Sequence, residues 1–271
     1  MISNFEVDLQ KDAYLLDVDV SPNNDWIAIV SGDSRGNVIR SDQTSPSPIH
    51  LSLSEWIGFG CIRFISSTKF LVVNRRTVVG QPNAAIFDVS NSSPLIEFYA
   101  GDAIEDVLVT DQYLVFTYFD EGVFGDCELA QQGLSVFSHD GQFCYGYLSH
   151  FGDRAFDVAC CYAACTTGGD EIAFCAYTGF QLVNWNIAAR IQAGVETPKT
   201  LHFAAALTCS GDEYYFHAKH KSRKTIFKFK DGIVEKLAGF QCNFKTLPNG
   251  RLVDVMHTGF DVLDCTKLAG K

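Results

Sequence analysis

One phrase recurs six times along this chain: an apolar strand, a short polar turn and a second apolar strand, with a third strand close behind. The copies read DVDVSPNNDWIAIV (17–30), RFISSTKFLVV (63–73), VLVTDQYLVFTYF (107–119), ACTTGGDEIAFCAY (164–177), ALTCSGDEYYFHAK (206–219) and TLPNGRLVDVM (246–256). Alternation with a period of two makes each flank a strand with a buried face. Ser-Pro-Asn-Asn, Ser-Gly-Asp-Glu and Pro-Asn-Gly supply residues that accept turn dihedrals. Repeats of this kind, far enough apart for four strands each, predict blades arranged radially. The expectation is an all-β protein, a six-bladed β-propeller forming one domain over 1–271. Seven blades is the fallback if Leu51 to Gly60 conceals further strands.

The flanks complete the repeats. Third strands follow at NVIRSD (37–42), AAIFDVS (84–90), GLSVFSHDG (133–141), FQLVNWNI (180–187), TIFKFKDG (225–232) and FDVLDC (260–265). Fourth strands follow at PIHLSL (48–53), LIEFYA (95–100), QFCYGYLS (142–149) and IVEKLAG (233–239), with ARIQAG (189–194) the candidate for the fourth repeat. The last repeat stops after its third strand. NFEVDL (4–9) is the natural source of the missing one, so that the two ends of the chain share a blade and leave no open sheet edge. No Gly-His opener or Trp-Asp closer recurs, so the phrase is not the WD40 version.

Composition narrows the function classes. A net charge of −11 opposes a general nucleic-acid binder, which needs a basic footprint, and equally opposes an anionic membrane surface. The uncharged run Ile172 to Ala189 holds Gln181, Asn184 and Asn186 and reads as a buried hairpin instead of a membrane span. The N-terminal stretch has no basic region followed by an apolar one, so a cytoplasmic location is expected, with the ten cysteines reduced and the protein a monomer. Cys160, Cys161 and Cys165 cluster without a C-x-x-C pair, and no cofactor or metal is expected.

In a propeller the loops from second to third strand, and from one blade to the next, emerge on one face. One such loop stands out: DEGVFGDCELAQQG, between Phe119 and Leu134, carries Asp120, Glu121, Asp126 and Glu128, with Tyr118 and Phe124 within or beside it. Neighbouring linkers add Asp102, Asp106, Asp153 and Asp157, while Arg75 and Arg76 lie on the second blade. A solvated loop shaped by turn geometry, a docking surface for a cationic protein or small ligand, and a calcium or magnesium site all fit this sector. No D-x-[DN]-x-[DN]-G pattern supports the last. His150, beside Asp153 and Arg154, could meet Asp120 or Glu121 as an acid/base pair. There is no G-x-S-x-G, H-E-x-x-H, P-loop or dinucleotide fingerprint. The basic run from His217 to Lys224 reads as a solvated hairpin loop.

Between Tyr118 and Val183 the chain resembles a family of uncharacterised bacterial propeller-like proteins. The resemblance lies in FDEGVFG (119–125), GLSVF (133–137), Gly141, YGY (145–147), HFG (150–152), CYA (161–163) and YTGFQLV (177–183). In that pattern an acidic residue often stands where this chain has Gly179, and proline where it has Gln181. The resemblance implies a propeller whose third and fourth blades are distinctive, and it implies no activity. Fold and charge together lead to the expectation of a non-enzymatic binding module, one concrete version of which is an antidote or immunity-type protein. It would recognise a protein or small ligand through Tyr118, Asp120, Glu121, Phe124, Asp126, His150, Arg154, Arg75 and Arg76. A hydrolase or lyase using the carboxylates and His150 on the same face is the alternative, and a purely structural role is a third.

Overall fold

The computed structural model describes residues 2–9, 11–31, 37–42, 47–48, 60–220 and 223–268. It forms six four-stranded antiparallel sheets, each with its strands in sequence order except the last. The inner strands are Leu15–Val20, Gly60–Phe64, Ile104–Val109, Ala164–Gly168, Ala204–Ser210 and Lys245–Leu247. The ring therefore closes on six blades, not seven; the segment that could have hidden more strands, 51–59, lies outside the described residues.

Closure works as expected, with a shift. The outer strand of the sixth blade is Ile2–Glu6, two residues before the expected start, paired with Gly259–Asp264. Phe5 fixes this register by stacking on Phe260, ring centroids 4.7 Å apart. In the fourth blade the outer strand is Ile191–Glu196, against the expected 189–194.

The core explains why whole strands are apolar. Six buried clusters occupy the junctions between adjacent blades, such as Ile27, Ile29 and Val38 of the first blade against Ile62, Phe70 and Phe87 of the second. Middle strands have neighbours on both faces, so Ile27–Val30 is buried at every position. An isolated sheet would have alternated, with one solvated face.

The run His217 to Lys224 is not a solvated loop. The second and third strands of the fifth blade extend into it as Glu213–His220 and Arg223–Lys230, and His217 is 1% exposed against Phe244. Lys221 and Ser222 lie outside the described residues.

Candidate functional site

The inner strands present an edge of unpaired backbone groups to the central channel, and charged side chains satisfy them. Asp17 and Asp19 of the first blade accept from the backbone N–H of Ile62 (3.1 Å) and Phe64 (2.8 Å) of the second. Between the fifth and sixth blades the hydroxyls of Thr208 and Thr246 instead donate to the carbonyls of Leu247 and Leu207. Around Asp17 an ion network gathers. Arg63 donates to it at 2.6 Å, Lys245 donates at 2.7 Å, and the other arm of Arg63 reaches Asp106. Burial alone would raise the Asp17 pKa, but Lys245 and Arg63 outweigh it and hold the carboxyl far below its usual range.

Arg75, expected at the surface, turns toward this channel. Burial opposes its charge, and the neighbouring Cys61, Asp17 and Asp106 more than offset that, keeping it protonated. Its buried Nε has no hydrogen-bond partner in the structure. Arg75 is thus an axial residue and not part of an exposed binding loop.

The acidic loop is a folded element. Asp120–Val123 forms a helical turn and Ala130–Gln132 a second, pinned by buried Gly122, Cys127 and Ala130. Arg76 bridges to it from the second blade, donating to Glu121 Oε2 at 2.6 Å and to Asp102 Oδ1 at 3.2 Å, with its guanidinium 5.5 Å from the Phe119 ring centre. Residues that the sequence places in different sectors therefore neutralise one another. Asp120, Asp126 and Glu128 stay exposed, with no ion pair among the described residues, and Phe124 is 74% exposed.

Other expected site residues separate. Tyr118 is fully buried and its hydroxyl donates to the Ala100 carbonyl at 2.6 Å, so it supports the loop from below and cannot touch a ligand. It ends a middle strand, where both faces are covered. His150 sits on the helical turn Tyr147–Phe151 with its ring against Tyr145 (5.2 Å) and Phe151 (4.7 Å). Arg154 is exposed beyond that turn, its carbonyl accepting from Gln192. Glu121 is engaged by Arg76 toward the second blade while His150 packs on its own blade. The acid/base pair on which the hydrolase or lyase alternative depends is not assembled.

Apart from Phe124, the exposed apolar groups of this face lie outside the residues expected from the sequence. Val78, Val79 and Phe124 project from second-to-third-strand loops of the second and third blades, and Met256 from that of the sixth. Tyr14, Tyr162 and Phe203 project from blade-to-blade linkers on the same face. On the opposite face the turns from first to second strand are polar, as at Ser66–Thr68 and Gly169–Asp170, and carry none of the large exposed apolar side chains.

Two of these face residues, Tyr162 and Phe203, join the half-buried Tyr177, Phe180 and His202 in one ring cluster. Tyr177 lies 6.4 Å from Tyr162 and 5.9 Å from Phe203, Phe180 lies 4.8 Å from Phe203, and His202 stacks on Phe180 at 4.1 Å. Phe180 and Phe203 both adopt left-handed backbone, φ +57° and +59°. A bulky residue there costs about 1–2 kcal/mol relative to the right-handed region, where glycine would cost little. The signal was available in YTGF and HF, two aromatic-bearing linkers around one short loop.

A cavity of about 780 Å³ opens at the far end of the channel, away from the acidic loop, lined by Asp19, Trp26, Arg40, Phe64, Asp106 and His139 among others. The expectation that candidate groups gather on the loop face does not include it. Inner-strand alternation in DVDV and CIRF is its only trace in the sequence.

No protein-family model matches this chain, and no curated protein does. Solved structures do match, and they define its class as a β-propeller. U3-55K superposes with a TM-score of 0.60 at 9% identity, over 97% of this chain and 98% of that one. The WD40 repeats of RRP9 give 0.58 at 10% identity, over 97% of each. Virginiamycin B lyase from Staphylococcus aureus gives 0.51 at 11% identity, over 97% of this chain and 98% of that one. At such identities the likeness is one of fold alone.

Proposed function

We propose that this chain is a protein-binding module that engages its partner through the face carrying the acidic loop. The observation that carries the reading is the asymmetry of exposed apolar surface. Seven of the thirteen large apolar side chains exposed among the described residues lie on this face's loops, five lie on outer strands, and Leu95 alone lies on a turn of the opposite face. Exposed apolar groups rimmed by polar ones mark interaction sites, because leaving them in water is otherwise unfavourable. The carboxylates of Asp120, Asp126 and Glu128, together with a net charge of −11, favour a basic partner surface. An antidote-type protein that masks a basic toxin or nuclease is one concrete form of this activity.

The test is affinity capture from extract of the source organism with the wild type, a Val78→Asp/Phe124→Asp variant and an Asp120→Ala/Glu121→Ala/Asp126→Ala variant. A partner recovered by the wild type and depleted by both variants supports the reading. Equal recovery by all three overturns it.

A further inference from the structure

The ring cluster at the junction of the fourth and fifth blades differs from the other exposed apolar groups in how it is built. Phe203 is 65% exposed, yet its backbone is held in the left-handed region, as is that of Phe180 beneath the same stack. Left-handed backbone disfavours an aromatic at both positions, and at Phe203 burial does not compensate. The chain of contacts Tyr162, Tyr177, Phe203, Phe180, His202 is nonetheless continuous. Strain kept at an exposed position, with a ring presented to solvent, points to a task at the surface.

The charges nearby say what the rings face. The hydrogen bond to Cys160 and burial keep the Tyr162 phenol protonated, and Asp120, on the helical turn packed against Val158–Cys160, adds to this. Asp157 accepts a hydrogen bond from Thr178 on the short loop that carries Tyr177 and Phe180. Lys199, on the linker leading to Phe203, is the basic group on these segments. Aromatic faces beside carboxylates attract cations, and the planar, weakly hydrated guanidinium stacks best.

We propose that this platform is the anchor for a basic segment of a protein partner, seating an arginine or lysine side chain over Phe203 and Tyr162 with its charge toward Asp120 and Asp157. The proposal rests on the protein-binding reading above and adds the site and the chemistry of the group it takes. An acidic segment would be repelled there, and a purely apolar one would leave the carboxylates without a counter-charge.

The test uses the full chain and a fluorescein-labelled eight-residue peptide of alternating arginine, lysine and glycine. Its control is the same peptide with citrulline for arginine and acetyl-lysine for lysine. Fluorescence polarisation is expected to show binding of the basic peptide about ten-fold or more tighter than the control. Phe203→Ala, which changes no charge, is expected to weaken it by about five-fold or more. Phe180→Gly should weaken it similarly while leaving the thermal midpoint unchanged or higher, since the strain is relieved. Long-range attraction to an acidic chain would leave Phe203→Ala equal to wild type, and that result overturns the proposal, as does equal binding of the two peptides. If the platform fails this test while Val78 and Phe124 still govern partner capture, only the anchor is lost and the protein-binding reading stands.

Discussion

Arg63 on the second blade donates to Asp17 on the first across 2.6 Å, and the carboxylate that it meets has no exposed surface. The same guanidinium reaches Asp106 on the third blade, so one side chain ties three inner strands around the channel. Removing one member of such a network leaves the others buried without a counter-charge. Arg63→Leu is expected to destabilise the fold by about 3–5 kcal/mol in urea unfolding. Asp17→Asn in the same chain should recover part of that, so the double variant loses less than the sum of the singles by about 1 kcal/mol or more. Strict additivity would show that the pair does not act as a unit.

His217 makes stability depend on pH. Burial, and secondarily Lys224, push its pKa down to about 4 from 6.5. Between those values the unfolded chain takes up a proton that the folded one refuses, so stability falls as pH drops through this window and is fully present above it. His217→Phe keeps the packing against Phe244 and removes the titration. The wild-type-minus-variant difference in unfolding free energy should change by about 1–3 kcal/mol between pH 7 and pH 4. A difference that stays flat would mean the ring is protonated inside the fold.

Gly122 is where the acidic loop meets the linker below it. A β-carbon there would lie 2.8 Å from both the Ala103 methyl and the Asp102 carbonyl oxygen, and 3.0 Å from Ala130. Gly122→Ala is expected to cost about 1–3 kcal/mol and to open the loop to proteolysis, readable as cleavage near Phe124. Unchanged midpoint and cleavage would show that the loop floats free of its base.

Deleting residues 1–6 should expose the edge of Gly259–Asp264 and release the Phe5–Phe260 stack. The expected outcome is a lower thermal midpoint and concentration-dependent association in analytical ultracentrifugation. A monodisperse variant of unchanged midpoint would argue that the sixth blade needs no fourth strand.

Arg76→Ala should change stability by less than about 1 kcal/mol, because the bridge to Glu121 is largely exposed. It would uncover Glu121 and Asp102, so the basic peptide should bind more tightly at low salt. Weaker binding would mean that Arg76 holds the loop in its competent shape.

Much of this molecule is legible along the chain. Period-two alternation and turn residues are local properties, so the six phrases mark their own strands, and FDVLDC without a following strand points to the N-terminus for its partner. The acidic loop is legible as a departure from short loops elsewhere. Tyr118 and Arg75 show the limit: Tyr118 stands beside that loop in sequence and Arg75 beside Arg76, yet each points inward because the next blade or the channel covers it. The ring cluster is not legible along the chain, since its members come from three segments, each unremarkable alone.

The sequence by itself determined the repeated strands, their order within each repeat and the exceptional length of the acidic loop, because alternation and turn chemistry act over a few residues. The ring's closure settled six blades over seven. Only the tertiary structure decided which charges meet. Asp17, Arg63, Asp106 and Lys245 are far apart along the chain and become neighbours when the ring closes, and the same closure pairs Arg76 with Glu121 and gathers Tyr162, Tyr177, Phe180 and Phe203. Electrostatic and ring contacts depend on distances of a few ångströms between blades, and no local pattern in the chain encodes those.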